Sequence, residues 1–157
     1  MRTNRPTRGF TLIELIMVLM IAGIVSFYAM ARLNDMGEVN AQGFADQVAS
    51  GLRMAQKAAI AQRRTVYVNV SAAGSRVFAC LDAATPTCAS PLAQPQGGNL
   101  DLTGPAGLAV TTTATQFSFN GLGSPSTSSV VQILVSAADG QSFSVTVQPD
   151  SGYVQRN

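Results

Sequence analysis

Histidine is absent from this chain of 157 residues, and lysine occurs once, at Lys57. The first absence removes the usual general base at neutral pH and the commonest metal ligand, so a Ser-His-Asp or Cys-His site cannot exist here. A Ser-Lys pair would have to use Lys57, which falls on the solvated face of a predicted helix. Serine and threonine are plentiful, but on strand edges and in turns that composition is ordinary. Cysteine is limited to Cys80 and Cys88, too few soft ligands for a metal site in a chain without histidine. The expectation is no enzyme, no cofactor and no metal.

Charge is scarce as well: 11% of residues are charged and 46% are hydrophobic, which fits one compact domain plus an unusually apolar piece. The formal charge of +2 is misleading, because Arg2, Arg5 and Arg8 all precede Phe10 without an acidic neighbour. Without them, 10 − 3 = 7 basic residues face 8 acidic ones, a formal charge of −1, and a nucleic-acid-coating protein is not indicated. Proline is missing between Pro6 and Pro86, so nothing forces an early helix break, although Gly23, Gly37, Gly43 and Gly51 weaken the helix locally.

The apolar excess sits in one block, Phe10 to Ala31. As a helix it would be about 33 Å long, matching the roughly 30 Å hydrocarbon core of a bilayer. The arginines ahead of it orient the leader to the cytoplasm and place everything from Arg32 onward outside. Glu14 interrupts the block, and a carboxylate within a membrane helix costs on the order of 2.5 to 3.5 kcal/mol unless it finds a partner or reaches the headgroups.

The run Arg8-Gly9-Phe10-Thr11-Leu12-Ile13-Glu14-Leu15 resembles the prepilin processing signal shared by type IV pilins and type II secretion pseudopilins. The match covers about the first thirty residues. The resemblance implies cleavage between Gly9 and Phe10 by a prepilin peptidase, N-methylation of Phe10, and an assembly role for Glu14. Electrostatics supplies the reason for that role: the new amine at Phe10 is a cation that a neighbouring subunit's Glu14 can neutralise inside an apolar filament core. Ala29-Met30-Ala31 offers a competing site for ordinary signal peptidase, but the apolar run is longer than the 7 to 15 residues usual for a signal peptide.

Beyond the block, Phe44, Val48, Leu52, Ala55 and Ala59 cluster within about 80° at 100° per residue, with Asp46, Arg53, Lys57 and Arg64 almost opposite. This predicts an amphipathic helix. The Arg53, Lys57 and Arg64 stripe could contact DNA, as in minor pilins similar to this chain that act in DNA uptake. No aromatic residues are interleaved with it, so a solvated or subunit-contacting face is the better reading.

From Thr65 the period becomes alternating. Strands are predicted at 65–70, 76–81, 108–113, 116–120, 130–136 and 142–148, with a short one near Tyr153; Ala72-Ala73-Gly74 and Ala138-Asp139-Gly140 mark hairpins. The fold class is α+β: a long N-terminal helix packed on an antiparallel β head, pilin-like. Expected divisions are a leader at 1–9, a membrane and filament-core half-helix at 10–31, an amphipathic half at 32–64 and the head at 65–157.

Because the leader places the head in an oxidising compartment, a Cys80–Cys88 disulfide is expected, with two buried thiols as the alternative. Pilins often carry such a bridge near the C-terminus, whereas this pair lies mid-chain. The stretch Asp82 to Gly107, rich in Pro, Ala, Gly and Gln, is expected to be a long loop with little core of its own.

The helix-to-head segment resembles the minor pseudopilin and fimbrial-tip branch of the family, nearest to minor pilins of mannose-sensitive-haemagglutinin-type pili. The resemblance implies a structural minor pilin of a type IV pilus. The alternatives are a minor pseudopilin of a type II protein secretion system and a DNA-binding or adhesive tip pilin. Implied partners are the prepilin peptidase, a major pilin, other minor pilins and an inner-membrane assembly platform. The implied location is the bacterial inner membrane, single-pass with the head outside, then a pilus or pseudopilus at the periplasm or cell surface.

Overall fold

A computed structural model describes residues 11–33, 36–83 and 87–157. It divides into two compact units, Met1–Met36 and Gly37–Asn157. The first is the helix α1, Leu12–Leu33, started by Thr11: its Oγ1 accepts from the Glu14 amide at 3.3 Å and its carbonyl from the Leu15 amide at 3.1 Å. The first of these bonds satisfies one of the four amides that a helix N-terminus leaves open, and the second is the first bond of the helix itself.

The second unit begins within α2, Met36–Gln62, from Gly37 onward. The predicted stripe of Phe44, Val48, Leu52, Ala55 and Ala59 is buried, joined by Ala41, Ala45 and Ala49. Small residues on this face let the helix lie close to the sheets. A glycine-type stop made from an arginine ends α2: Arg63 has φ of 48°, its amide reaches Ile60 O at 3.2 Å, and the Arg64 amide reaches Ala59 O at 3.1 Å. These are the paired bonds of a Schellman motif, held here despite the cost of on the order of 1 kcal/mol for a left-handed non-glycine residue. Gly121 covers that turn, since a Cβ on it would lie 3.0 Å from the Arg63 carbonyl carbon. Arg64 therefore stands beyond the helix that was expected to include it.

Two four-stranded antiparallel sheets follow. The strands are β1 Val66–Ser71, β2 Arg76–Cys80, β3 Asp101–Thr103, β4 Ala109–Thr112, β5 Gln116–Phe119, β6 Val131–Ser136, β7 Ser142–Val147 and β8 Val154–Arg156. Their orders are β3-β2-β1-β5 and β4-β6-β7-β8. Ala72–Gly74 forms a single 3₁₀ turn between β1 and β2, and Gly140, at φ of 91°, closes the β6–β7 hairpin. Alternation decides the faces: Val66, Val68 and Val70 of β1 are buried with Val77 and Ala79 of β2 and Phe117 and Phe119 of β5 in one core with the α2 stripe. Each large apolar side chain so buried contributes about 1.5 to 3 kcal/mol.

Two sequence expectations change here. The segment 82–107 is not coreless: Leu92 and Leu100 are both buried in the main cluster. They sit in a small hairpin, where the Leu92 amide donates to Ala79 O at 2.9 Å and the Leu100 amide to Leu92 O at 2.7 Å. The same segment contains β3, which no periodic signal announced. β3 is three residues long, and its order comes from pairing with β2 and from Leu102 packing over Gly51, where a Cβ would meet Leu102 Cδ1 at 2.9 Å.

Candidate assembly and surface sites

Glu14 occupies the first turn of α1, three residues after the capping Thr11. Thr11-Leu12-Ile13-Glu14 has the spacing of a capping box, a legible signal that the apolar run obscured. The partial positive charge of the helix N-terminus favours a carboxylate at this position. Around it Leu12, Ile13, Leu15 and Ile16 are 77%, 64%, 56% and 44% exposed. A helix apolar on all sides requires an apolar surround. The geometry thus offers one anionic group on an otherwise apolar rod. Gly9 and Phe10, the expected cleavage pair, lie outside the described residues. Among the described residues no helix is long and apolar enough to cross a membrane; the run expected to span begins at Phe10, outside them.

Arg53 and Lys57 lie one turn apart on α2, both exposed, while Arg64 stands beyond the end of that helix. Arg53 donates from Nε and Nη2 to the Val154 carbonyl at 3.3 and 3.2 Å, tying α2 to β8. Arg64 donates from Nη2 to Leu81 O at 3.1 Å, at the end of β2. Lys57 is exposed on α2. Two of the three cations are thus committed to backbone carbonyls.

Cys80 and Cys88 form a disulfide with Cα atoms 5.8 Å apart. Asp82 lies within 4.8 Å of both sulfurs. Sulfurs joined to each other are not thiolate ligands, and Asp82 Oδ2 accepts from the Ser90 amide at 2.9 Å, so the cluster is a loop closure.

Three polar contacts escaped the sequence. Arg76 makes a bidentate pair with Asp101, both bonds 2.6 Å, and its guanidinium stacks 4.6 Å from the Phe78 ring centroid. The hydrogen bond from Arg76 holds the Asp101 carboxyl below the ordinary carboxylate range and raises the arginine in turn, against a smaller opposing effect of burial on each. Gln56 Nε2 donates to Gly123 O at 2.9 Å and to Ser151 O at 3.0 Å, fastening two loops to α2. Arg156 reaches Asp46 at 2.8 Å. All three join residues far apart in sequence, so no local pattern marks them.

A family model described as "Type II transport protein GspH" matches residues 45–151, and one described as "Prokaryotic N-terminal methylation motif" matches residues 4–30. A search of the curated proteins finds no match. Among solved structures, the type IV minor pilin FimU of Pseudomonas aeruginosa is similar with a TM-score of 0.59 at 17% identity, covering 74% of this chain and 87% of that one. The minor pseudopilin EpsH from the type 2 secretion system of Vibrio cholerae follows with a TM-score of 0.57 at 15% identity, covering 77% and 95%. At such identities the likeness shows the fold alone: α+β and pilin-like. The methylation motif makes this a prepilin-type protein, a substrate of prepilin peptidase anchored in the inner membrane and then assembled into a pilus or pseudopilus. With its head matched across most of its length and the methylation motif ahead of it, the chain belongs to the minor pilin and pseudopilin family described as type II transport protein GspH, whose members are structural subunits and not enzymes.

Proposed function

We propose that this chain is a minor pseudopilin of a type II protein secretion system. The observation that carries the reading is the GspH match over 45–151. The head, not the leader, separates the branches of this family, because both filament types share the leader. This reverses the order suggested by the sequence, which put the type IV pilus first. The likeness to FimU does not restore that order, since it reports fold without function.

In this reading the chain is cut between Gly9 and Phe10 and methylated on the new amine. Glu14 of one subunit neutralises that amine on its neighbour, where both are withdrawn from water and an unpaired charge would be costly. Its partners are the major pseudopilin, other minor subunits and the inner-membrane platform. No observation favours DNA as a ligand, given that Arg53 and Arg64 already bond to backbone carbonyls.

The test is deletion of the gene in its native host, with secreted enzymes and surface pili measured in parallel. Loss of secretion with pili intact supports the reading. Loss of pili with secretion intact overturns it in favour of the type IV pilus.

A further inference from the structure

The Cys80–Cys88 bridge presents its two sulfurs unequally. Cys80, the last residue of β2, is completely buried, whereas Cys88 is half-buried. A cavity of about 310 Å³ opens beside Cys88, lined also by Arg76, Thr87, Asn99 and Asp101, and Cys80 has no part in its wall. Thiol–disulfide exchange begins with thiolate attack on one sulfur and departure of the other. Access therefore selects Cys88 as the sulfur attacked and Cys80 as the one that leaves. Asn69 Nδ2 lies 4.0 Å from Cys80 Sγ, placed to donate to the leaving thiolate in its buried setting.

The charges around the bridge are not balanced. Arg76 is committed to Asp101, so that pair brings no net charge to the cavity. Asp82 differs, with a carboxylate oxygen within 4.8 Å of both sulfurs. Its Oδ2 accepts from the Ser90 amide, while Oδ1 is buried and, among the described residues, has no hydrogen-bond partner. Among the described residues no cation pairs with this carboxylate. A partly buried charge at this range is weakly screened, so it repels an incoming anion and attracts a cation. It also disfavours the Cys80 thiolate, which slows exchange with any thiol and slows it most for anionic ones.

We propose that Cys88 is a site of thiol exchange, reached through this cavity, and that Asp82 restricts the exchange to thiols carrying a positive charge. The entering thiolate bonds to Cys88 Sγ as the bond to Cys80 Sγ breaks. The electron pair leaves with Cys80, which takes a proton from water. One disulfide is consumed and one is formed, so no oxidant enters the step. A second thiolate, attacking the sulfur of the entering group, releases the Cys88 thiolate and completes the reduction. The inference does not depend on which filament the subunit joins.

The test treats the full mature chain in detergent micelles with cysteamine or with 2-mercaptoethanesulfonate, at equal millimolar thiolate and low salt. Loss of the bridge is followed by mass spectrometry after acid quenching. The mixed disulfide should form on Cys88. The readout is the ratio of the two rates, in which the intrinsic reactivities of the thiols cancel between parent and variant. Asp82→Asn, which keeps an acceptor for the Ser90 amide, should speed both reactions and lower the cysteamine preference by roughly fivefold or more. Asp82→Glu should retain the preference. A variant that merely loosens the loop would speed both thiols alike and leave the ratio unchanged. The proposal is overturned by that unchanged ratio, by a mixed disulfide on Cys80, or by a bridge that resists cysteamine altogether.

Discussion

Arg76 and Asp101 meet across β2 and β3 through two parallel hydrogen bonds of 2.6 Å, and this fork fastens the outermost strand to the sheet. It lies diagonally across the ladder, since Arg76 is opposite Thr103 and Asp101 is opposite Phe78. The guanidinium also covers the Phe78 ring, so one side chain both shields an aromatic on the outer face and holds the strand beside it.

The pair has a pH signature. Asp101 is held below its unfolded carboxylate pKa, so its contribution is complete above about pH 4 and is lost as pH falls through the lower folded value. Both side chains are more than a third exposed, at 44% and 38%, which limits the contribution to under about 1 kcal/mol. Urea denaturation of Asp101→Asn against the parent should show a gap at pH 7 that closes in strong acid. A gap that persists there would show that the pair is not its source.

Gly152 is constrained twice. Its φ is 66°, and a Cβ there would run into the Gly123 carbonyl oxygen and the Gln56 amide nitrogen that the same loop depends on. Gly152→Ala should destabilise by on the order of 2 to 3 kcal/mol, combining left-handed strain with overpacking. Gly97→Ala, with φ of 97° but open space around it, should cost about 1 kcal/mol. Equal losses in thermal unfolding would mean that close approach is not what position 152 requires.

Reduction of Cys80–Cys88 should lower stability by about 2 to 3 kcal/mol, mainly by freeing the unfolded chain. The local consequence is more diagnostic. The Leu81 and Leu92 amides, bonded to Ser90 O and Ala79 O, should lose hydrogen-exchange protection first, while Val68 and Val145 keep theirs. Uniform loss across the head would assign the bridge to global stability alone.

Under the proposed function, Glu14→Ala should leave leader cleavage and membrane insertion intact and reduce incorporation into the filament by at least tenfold. Intact mass would report the cleavage after Gly9 and the methyl on Phe10, and a shear fraction would report incorporation. Normal incorporation would remove Glu14 from the assembly mechanism.

Local physics made much of this protein legible. An apolar run with one carboxylate, a 3.6-residue stripe from Phe44 to Ala59 and a Gly140 turn between two alternating segments each act within a few residues. They appear where periodicity and turn chemistry put them. The methylation motif is equally local, a short run that identifies the family before any head is formed.

What the tertiary structure decided has the opposite character. Asp101–Thr103 becomes a strand because Arg76 and Val77 are beside it and Gly51 leaves room for Leu102. Arg63 takes a left-handed conformation because the Schellman bonds fix it and Gly121 packs over it. Arg53, part of a charged stripe on paper, also ties α2 to β8, and Arg64, past the end of the helix, reaches the Leu81 carbonyl at the end of β2. Each of these depends on a partner 17 or more residues away or on a backbone approach that only the folded chain creates. Periodicity carries information about the face a residue presents, and none about which distant group will meet it there.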